Sequence, residues 1–371
     1  MPAYSHGLVI GKFYPPTLGH HALIRFAAAR AERVSVVVMC AARETLALSD
    51  RVAWLRAEHA DSNGVAVVGI PCDIPVDFAD PCIWTAQVRL MRAAVATVTD
   101  VPVDTVFSSV PYGDDLAARL GAVHIPFDPG RTLVRVSSSA VRADLAAHWR
   151  LLSRPVRRGL AVRIVVVGAE STGTTTIARL LAEQYQGRGG PWADTRVAPE
   201  YGREYTVTKW ERAKVMARAA GRPELPLDAL VWDTTDFDAV ATEQTAREEA
   251  AAAAGSPLLV CDTDALATAV WERRYLGRVA RVGQSWAGPA LPRRDLYLLT
   301  DHHGVPWEDD GLREGDLAMR AAMTGWFATA LTDAGQSWAL LTGSLKQRLA
   351  LAIGCTEAVL SARHTFTPPL G

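Results

Sequence analysis

The chain has 371 residues, of which 49% are apolar and 21% are charged, and its formal net charge at pH 7 is -1. This length and composition predict two globular domains of ordinary size. The near-zero net charge gives no general basic field, so a nucleic-acid partner is not suggested. The five cysteines form no CxxC pair, which argues against structural zinc and indicates a reducing cytoplasm. The first apolar run begins too early for a signal peptide, and none is long enough for a membrane.

The first motif is the stretch from Gly7 to His21, GLVIGKFYPPTLGHH. Its apolar run predicts a buried strand, and a proline-rich turn then leads into a helix. In parallel α/β sheets ligands bind at the carboxyl ends of strands, where the N–H groups of the next helix favour phosphate. Read alone, the motif is equally compatible with a turn that carries two solvent-exposed histidines. The candidate nucleotide-binding residues here are Gly11, Lys12, Phe13, Thr17, Gly19 and His20.

The second motif is Val136 to Arg142, VSSSAVR, which predicts the start of a helix. The hydroxyls of Ser137, Ser138 and Ser139 can cap exposed N–H groups and can also bind phosphate oxygens. The planar guanidinium of Arg142 can clamp a triphosphate. An ordinary serine cap explains this motif alone, but the two motifs in order, one domain length apart, favour a nucleotide site.

Strand and helix patterns alternate through residues 1–150, which predicts a doubly wound α/β domain. Residues 151–161 contain proline, glycine and three arginines and are expected to form a linker. A second α/β domain is expected over 162–360, followed by a loose, proline-rich tail at 361–371.

Thr17 to His20 resembles the (H/T)xGH signature of the nucleotidyltransferase superfamily, and Val136 to Arg142 resembles its ISSTxxR signature. The resemblance implies that Thr17 and His20 hold the phosphates of a nucleotide while pyrophosphate leaves. Two loops, Pro111–Leu116 and Asp128–Arg131, resemble segments of the adenylyltransferases of the bifunctional NadR type. They imply that Tyr112, Gly113 and Arg131 line the nucleotide site. Trp84 is expected in the core, with stacking on a pyridine ring as the alternative.

The second domain opens with a strand at 163–167 that runs into a glycine-containing loop and a helix, the context of a P-loop. Thr175 is the predicted magnesium-binding hydroxyl. The usual lysine is replaced by Thr174, so either an arginine supplies this cation or the domain binds nucleotide weakly and phosphorylates poorly. The predicted nucleotide-binding residues are Gly168, Glu170, Ser171, Thr172, Gly173, Thr174, Thr175 and Thr176.

Three later segments resemble ribosylnicotinamide kinase domains: PEYGREY at 199–205, the strand ending in DTD at 258–264, and WEDDGLR at 307–313. The resemblance implies that Asp262 binds magnesium and that Asp262, Asp264 or Glu200 accepts a hydroxyl proton. It also places Arg203, Trp307 and Asp310 at the nucleotide and riboside site. Arg313 and Arg320 are the candidates for the missing positive charge.

Together the motifs predict a Rossmann-like nucleotidyltransferase domain followed by a P-loop kinase domain, as in the bifunctional NadR-type enzymes of NAD salvage. The implied substrates are ATP, nicotinamide mononucleotide and nicotinamide riboside, with Mg²⁺ as the cofactor. Some members of the family carry a DNA-binding segment ahead of the first strand; few residues precede it here, so repressor activity is not expected. Two alternatives remain: a nucleotidyltransferase with another phosphate acceptor, and an adenylyltransferase whose second domain senses nucleotide without turnover.

Overall fold

The computed structural model describes residues 3–75, 77, 79–130, 132–277, 292–307 and 316–370. The chain forms two compact units, Met1–Leu160 with His364–Gly371, and Ala161–Arg363. Within the described ranges, no helix is both long enough and apolar enough to cross a membrane.

The first unit contains a parallel sheet with the strand order β3-β2-β1-β4-β5. Its strands are β1 (Tyr4–Gly11), β2 (Ala31–Cys40), β3 (Val65–Pro71), β4 (Thr105–Ser108) and β5 (Val123–Pro126). Its helices are α1 (Leu18–Ala28), α2 (Leu48–Glu58), α3 (Pro81–Ala96), α4 (Gly113–Leu120), α5 (Ser138–Ala143) and α6 (Arg154–Leu160). The central strands are buried because helices cover both faces. The strand order reverses at β1, which places the ligand crevice at Gly11.

The second unit contains another parallel sheet, with the order β10-β9-β6-β8-β7. Its strands are β6 (Val162–Gly168), β7 (Arg196–Ala198), β8 (Leu258–Asp262), β9 (Leu296–Thr300) and β10 (Trp338–Leu341). Its helices are α7 (Thr174–Gln186), α8 (Tyr201–Ala219), α9 (Thr234–Ala254), α10 (Ala265–Leu276), α11 (Leu317–Asp333) and α12 (Leu345–Arg363). The order reverses at β6, whose carboxyl end is Gly168. The prediction of two doubly wound parallel-sheet domains is therefore confirmed.

The expected linker at 151–161 is instead mostly helical, and its residues up to Leu160 belong to the first unit. Residues 154–160 form α6, and a side chain at Gly159 would put its Cβ 2.3 Å from Nε1 of Trp54 on α2. The absence of a side chain at this position lets α6 pack directly on the indole. A glycine that looks like a linker residue in the sequence is thus a packing residue in the fold.

The expected loose tail also differs from the structure, because residues from His364 onward belong to the first unit. The ring of Phe366 packs edge-to-face on Tyr14, with 5.9 Å between the ring centroids. Thr367 is hydrogen-bonded to Tyr14 and Thr45. The range 361–371 also includes the last three residues of α12, and its proline content could not reveal these long-range contacts.

Candidate nucleotide sites

The first site begins at the N-terminus of α1, where Thr17 and His20 lie together. The Thr17 backbone N–H donates to Nδ1 of His20 at 3.0 Å, and Thr17 Oγ1 is also 3.0 Å from this nitrogen. Because Nδ1 accepts a hydrogen bond from the backbone, the neutral imidazole carries its proton on Nε2. Phe13 packs against the His20 ring, with 5.0 Å between the centroids. The ring is thereby fixed in an orientation and tautomer that suit donation to a phosphate oxygen.

The serine motif at α5 lies against the same turn. Ser138 Oγ donates to the carbonyl of Pro15 at 2.9 Å, and Arg142 Nη1 donates to the carbonyl of Tyr14 at 2.6 Å. Ser137 caps α5 by accepting from the Ala140 N–H at 3.1 Å. The structure therefore brings both signatures of the first domain together. Ser138 also has a structural role, because its hydrogen bond joins α5 to the proline-rich turn.

The cation of this turn, Lys12, has a carboxylate partner that the sequence analysis did not identify. Glu44 Oε1 forms an ion pair with Lys12 Nζ at 3.3 Å, and Glu44 Oε2 accepts from Arg51 Nη1 at 2.7 Å. Arg51 also donates to the Lys12 carbonyl at 2.9 Å. The side chains of Glu44 and Arg51 are completely buried. This paired charge keeps both the side chain and the backbone of Lys12 in place.

A cavity of about 230 Å³ opens beside Lys12 and is mostly apolar. Trp84 and Tyr112 meet edge-to-face on its wall, with 5.9 Å between the centroids. Trp84 is buried, as the favoured core interpretation expected, yet it also lines the cavity. Burial raises the pKa of the Tyr112 hydroxyl, so the hydroxyl is neutral at physiological pH. The lining consists of Ile10, Gly11, Lys12, Met39, Cys72, Ile74, Trp84, Gln87, Met91 and Tyr112.

Two predicted residues of the first domain, Phe13 and Gly113, are placed differently from a simple ligand-lining role. The side chain of Phe13 is buried in the core, so only its backbone is suited to contact a nucleotide. At Gly113 a Cβ would lie 2.2 Å from Nε2 of His124 and 2.4 Å from the Ser108 hydroxyl, so the glycine allows α4 to approach β4 and β5. The position of Arg131 lies outside the described residues.

The second site is formed by the loop between β6 and α7. Gly173 has a φ of 88°, a conformation that glycine adopts without strain, and it precedes the first residue of α7. At Gly168 a Cβ would lie 2.1 Å from Oγ1 of Thr300, so the loop passes close to β9. Thr172 Oγ1 is 2.7 Å from the same hydroxyl. These contacts give the P-loop its predicted position between strand and helix.

A cavity of about 690 Å³ lies over this loop. Apart from Gly168, all the predicted P-loop residues line it, together with Glu200, Arg203, Asp262 and Trp307. Thr175 Oγ1 donates to Asp262 Oδ2 at 2.6 Å, so the loop hydroxyl and the strand-end carboxylate meet. The lining consists of Glu170, Ser171, Thr172, Gly173, Thr174, Thr175, Thr176, Ile177, Pro199, Glu200, Arg203, Asp262, Gly304, Val305, Pro306, Trp307, Gly343, Ser344, Leu345 and Arg348.

The arginines around this cavity differ from the expected set. Arg320 does not line it: its Nη2 donates to the carbonyl of Ser171 at 2.7 Å, and its Nη1 donates to Val305 at 2.9 Å. It therefore braces the P-loop backbone. Arg203 and Arg348 do line the cavity, and Arg348 was missed because nothing in its helix pattern marks it. Arg313 and Asp310 lie outside the described residues.

Asp264 is buried at the start of α10 and is not among the cavity-lining residues. Its Oδ1 caps the helix by accepting from the Ala267 N–H at 3.0 Å. Its Oδ2 accepts from the Tyr297 hydroxyl at 2.6 Å and from Arg294 Nε at 3.1 Å. Arg294 also pairs with buried Glu248, whose pKa rises to about 7 because of burial. These bonds assign Asp264 a structural role, in place of the expected proton acceptor.

Beside the P-loop cavity lies a smaller aromatic pocket of about 50 Å³. Trp232 and Tyr275 are its closest ring pair, with 5.2 Å between centroids. The two cavities share Glu200 and Arg203, whose side chains are linked by a 3.0 Å hydrogen bond. The pocket residues come from α8, α9 and α10 and the segments beside them: Glu200, Gly202, Arg203, Thr206, Trp232, Phe237, Val240, Thr263, Thr268, Trp271 and Tyr275.

Comparisons with known proteins agree with the division of the chain into two units. The AAA domain family matches residues 163–348, which span the second sheet and its P-loop. The trifunctional NAD biosynthesis/regulator protein NadR of Salmonella typhimurium is 23% identical over 319 residues, which cover 83% of this chain and 71% of that protein. The protein of the same name from Escherichia coli K12 is also 23% identical, over 320 residues with the same coverage.

Two solved structures share the fold over nearly the whole chain. A crystal structure of NadR in complex with NR has a TM-score of 0.61 at 19% identity and covers 97% of each chain. A crystal structure of NadR in complex with NAD and AMP-PNP has a TM-score of 0.59 at 19% identity, covering 97% of this chain and 98% of the other. The resemblance to NadR proteins that the motifs indicated is therefore confirmed.

Proposed function

Because the chain belongs to the AAA domain family through residues 163–348 and is homologous to the NadR proteins, we propose that it is a bifunctional enzyme of NAD salvage. Its first unit transfers AMP from ATP to nicotinamide mononucleotide, and its second unit phosphorylates nicotinamide riboside with ATP. The relatives are named for NAD biosynthesis, and the structural neighbours hold NR, NAD and AMP-PNP.

In the adenylyl transfer, an oxygen of the mononucleotide phosphate attacks the α-phosphorus of ATP. A new P–O bond forms as the bond to the β-phosphate oxygen breaks, and pyrophosphate leaves. The attacking phosphate is already ionised at neutral pH, so positioning and charge stabilisation carry the reaction without a protein base. Lys12, His20 and Arg142 supply positive charge and N–H donors on one side of the turn. The cavity lined by Trp84 and Tyr112 is assigned to the pyridine ring.

In the kinase reaction, the 5′-hydroxyl of the riboside attacks the γ-phosphorus of ATP, its proton passes to a carboxylate, and ADP leaves. The observation that carries this assignment is the pair of adjoining cavities that share Glu200 and Arg203. A pyridinium cation fits the aromatic pocket because the faces of tryptophan and tyrosine attract cations. Glu200 is the proposed proton acceptor, since it lines both cavities and Asp262 is assigned to the metal.

The oxygen pair of Thr175 and Asp262 fits Mg²⁺, which prefers hard oxygen ligands and substrate phosphates. When bound, the ion neutralises charge on the phosphate oxygens. Arg203 is proposed to supply the positive charge that the missing P-loop lysine would give, because it lines the boundary of the two cavities.

A product assay tests the proposal. The purified chain is incubated with ATP and Mg²⁺, together with either the riboside or the mononucleotide, and the products are separated by chromatography. We expect NAD from both substrates. NAD from the mononucleotide alone would leave the first assignment and contradict the kinase assignment, whereas no NAD from either would overturn both.

A further inference from the structure

Residues 364–370, called the strap below, lie against the proline-rich turn of the first site although they are more than 300 positions away in the sequence. We propose that Thr367 in the strap is a positioning residue for adenylyl transfer. The proposal rests on the function assigned above to the first unit. Thr367 and the rest of the strap belong to neither signature motif.

Thr367 connects the strap to the segment between β2 and α2. Its N–H donates to Thr45 Oγ1 at 2.8 Å, and its hydroxyl donates to the carbonyl of Arg43 at 2.8 Å. The Thr45 N–H donates back to Thr367 Oγ1 at 3.2 Å. Because both backbone and side chain of Thr367 are used, this residue is held in one register on the loop.

The same threonine holds Tyr14 of the proline-rich turn. The Tyr14 hydroxyl donates to the Thr367 carbonyl at 3.1 Å and accepts from the Thr45 N–H at 2.9 Å. The Tyr14 ring lies against the guanidinium groups of Arg51 and Arg142, at 4.3 and 4.9 Å from its centroid. Since Arg142 also bonds the Tyr14 carbonyl, a shift of Tyr14 moves a proposed phosphate ligand.

The strap reaches Lys12 as well. Lys12 Nζ donates to the carbonyl of Leu370 and also forms an ion pair with Glu44. Pro368 and Pro369 separate Leu370 from Thr367 and limit the conformations available between the two contacts. Thr367 therefore fixes the strap at a point from which Leu370 helps to orient the Lys12 ammonium group.

The test compares two substitutions that differ in the hydroxyl. Thr367→Val keeps the shape but removes the hydrogen bonds of Oγ1 with the Arg43 carbonyl, with the N–H and hydroxyl of Thr45, and with the Tyr14 hydroxyl. Thr367→Ser keeps the hydroxyl. With mononucleotide saturating, we expect kcat/KM for ATP to fall roughly tenfold in the valine variant. The serine variant should stay within about twofold of the wild type, and riboside kinase activity should be unchanged in both.

An unchanged valine variant, an equal loss in the serine variant, or a parallel loss of kinase activity would overturn the assignment. A second variant lacking residues 364–371 should lose at least as much adenylyl transfer as Thr367→Val, and a faster reaction would identify the strap as an inhibitor instead. Wild-type NAD formation is measured first. Its absence would contradict the proposed function, whereas an active wild type with an unaffected valine variant contradicts only the role of Thr367.

Discussion

The hydroxyl of Thr175 donates to the carboxylate of Asp262 across 2.6 Å, joining the P-loop to the end of β8. Strand β6, which leads into the P-loop, is the neighbour of β8, and Val166 of β6 lies opposite Asp262 in the register. A loop hydroxyl and a strand-end carboxylate are the protein ligands that P-loop enzymes use for magnesium. The contact gives Thr175 a defined carboxylate partner in a loop that lacks the usual lysine.

Replacing Asp262 with asparagine should abolish most kinase activity. Asparagine can still accept from Thr175, so the hydrogen bond and the shape persist while the negative charge is lost. We expect riboside kinase kcat to fall by about a hundredfold or more, because metal stabilisation of phosphate charge contributes several kcal/mol. Adenylyl transfer measured on the same preparation should be unchanged. A kinase rate within threefold of the wild type would remove Asp262 from the metal site.

Arg203 should be the most important described arginine for phosphoryl transfer. It lines both cavities of the second unit, whereas Arg320 is committed to backbone carbonyls. Arg203→Gln should lower kinase kcat by roughly a hundredfold, since an arginine at the transferring phosphate contributes large factors to the rate. Arg212→Gln, an exposed change on the same helix, is the matched control and should leave kcat unaltered. Equal rates in the two variants would contradict the assignment.

Restoring the usual P-loop lysine should not improve this enzyme. If Arg203 already supplies the positive charge, the Thr174→Lys variant adds a second cation to the same phosphates. We expect kinase kcat to stay the same or fall, measured at saturating ATP and riboside. An increase of about tenfold would show that the position of the missing cation is functionally empty.

The aromatic pocket should bind the riboside and leave ATP binding unaffected. Tyr275→Leu retains an apolar side chain but removes one face of the pair with Trp232. Because Tyr275 is partly exposed, loss of a cation–π contact of about 0.5–1 kcal/mol predicts a rise in KM for riboside of roughly two- to fivefold, with KM for ATP unchanged. Trp210→Leu is the control, because Trp210 lies on α8 outside the pocket lining. Equal changes in the two KM values would argue against a riboside pocket.

Local sequence patterns predicted the parts of the fold that depend on local physics. The alternation of apolar strands and helices, the turn before α1 and the loop before α7 follow from periodicity and from glycine and proline positions. Both signature motifs of the first unit were predicted to share a site, and the bonds of Ser138 and Arg142 to the turn explain how they meet.

The features that were missed depend on contacts between distant residues. Glu44 and Arg51 look like surface residues in the sequence, but each is buried because the other neutralises it. Arg348 is buried near the P-loop, where it donates to the carbonyls of Asp301 and His303 at 2.7 and 2.9 Å. Asp264 follows the end of a strand and precedes a helix. The sequence cannot distinguish a catalytic carboxylate from a helix cap at such a position, so Asp264 was expected to be catalytic. The contacts of the strap could not be predicted for the same reason as the ion pair of Glu44 and Arg51, because proline content does not indicate which distant residues a segment contacts.

His21, the histidine that directly follows the first signature motif, provides a test of stability in the first unit. His21 is buried beside His59, with its Nδ1 3.0 Å from the His59 Nε2. Burial, followed by the neighbouring His59, lowers the pKa of His21 to about 3. Burial, followed by Arg25, lowers the pKa of His59 to about 4. One ring donates and the other accepts, and the lowered pKa values of both rings keep the folded pair neutral at pH 7.

The direction of the pH effect follows from these values. Both pKa values are below the ordinary 6.5, so the unfolded chain binds more protons than the folded chain in this range. The contribution to stability is therefore complete above about pH 6.5 and is lost as the pH falls towards 4. Between pH 7 and pH 5 the free energy of unfolding of the first unit should fall by on the order of 2 to 4 kcal/mol.

Thermal unfolding at pH 7 and pH 5 measures this loss, with hydrogen exchange in α1 and α2 identifying the unit that responds. The His59→Gln variant keeps a polar group near His21 but removes one titrating ring, so its loss of stability over the same range should be about half as large. A wild-type first unit that is equally stable at both pH values would show that the two rings take up protons in the fold as readily as in the unfolded chain. Such a result would require an anion beside the two rings, because two adjacent buried imidazolium ions repel each other.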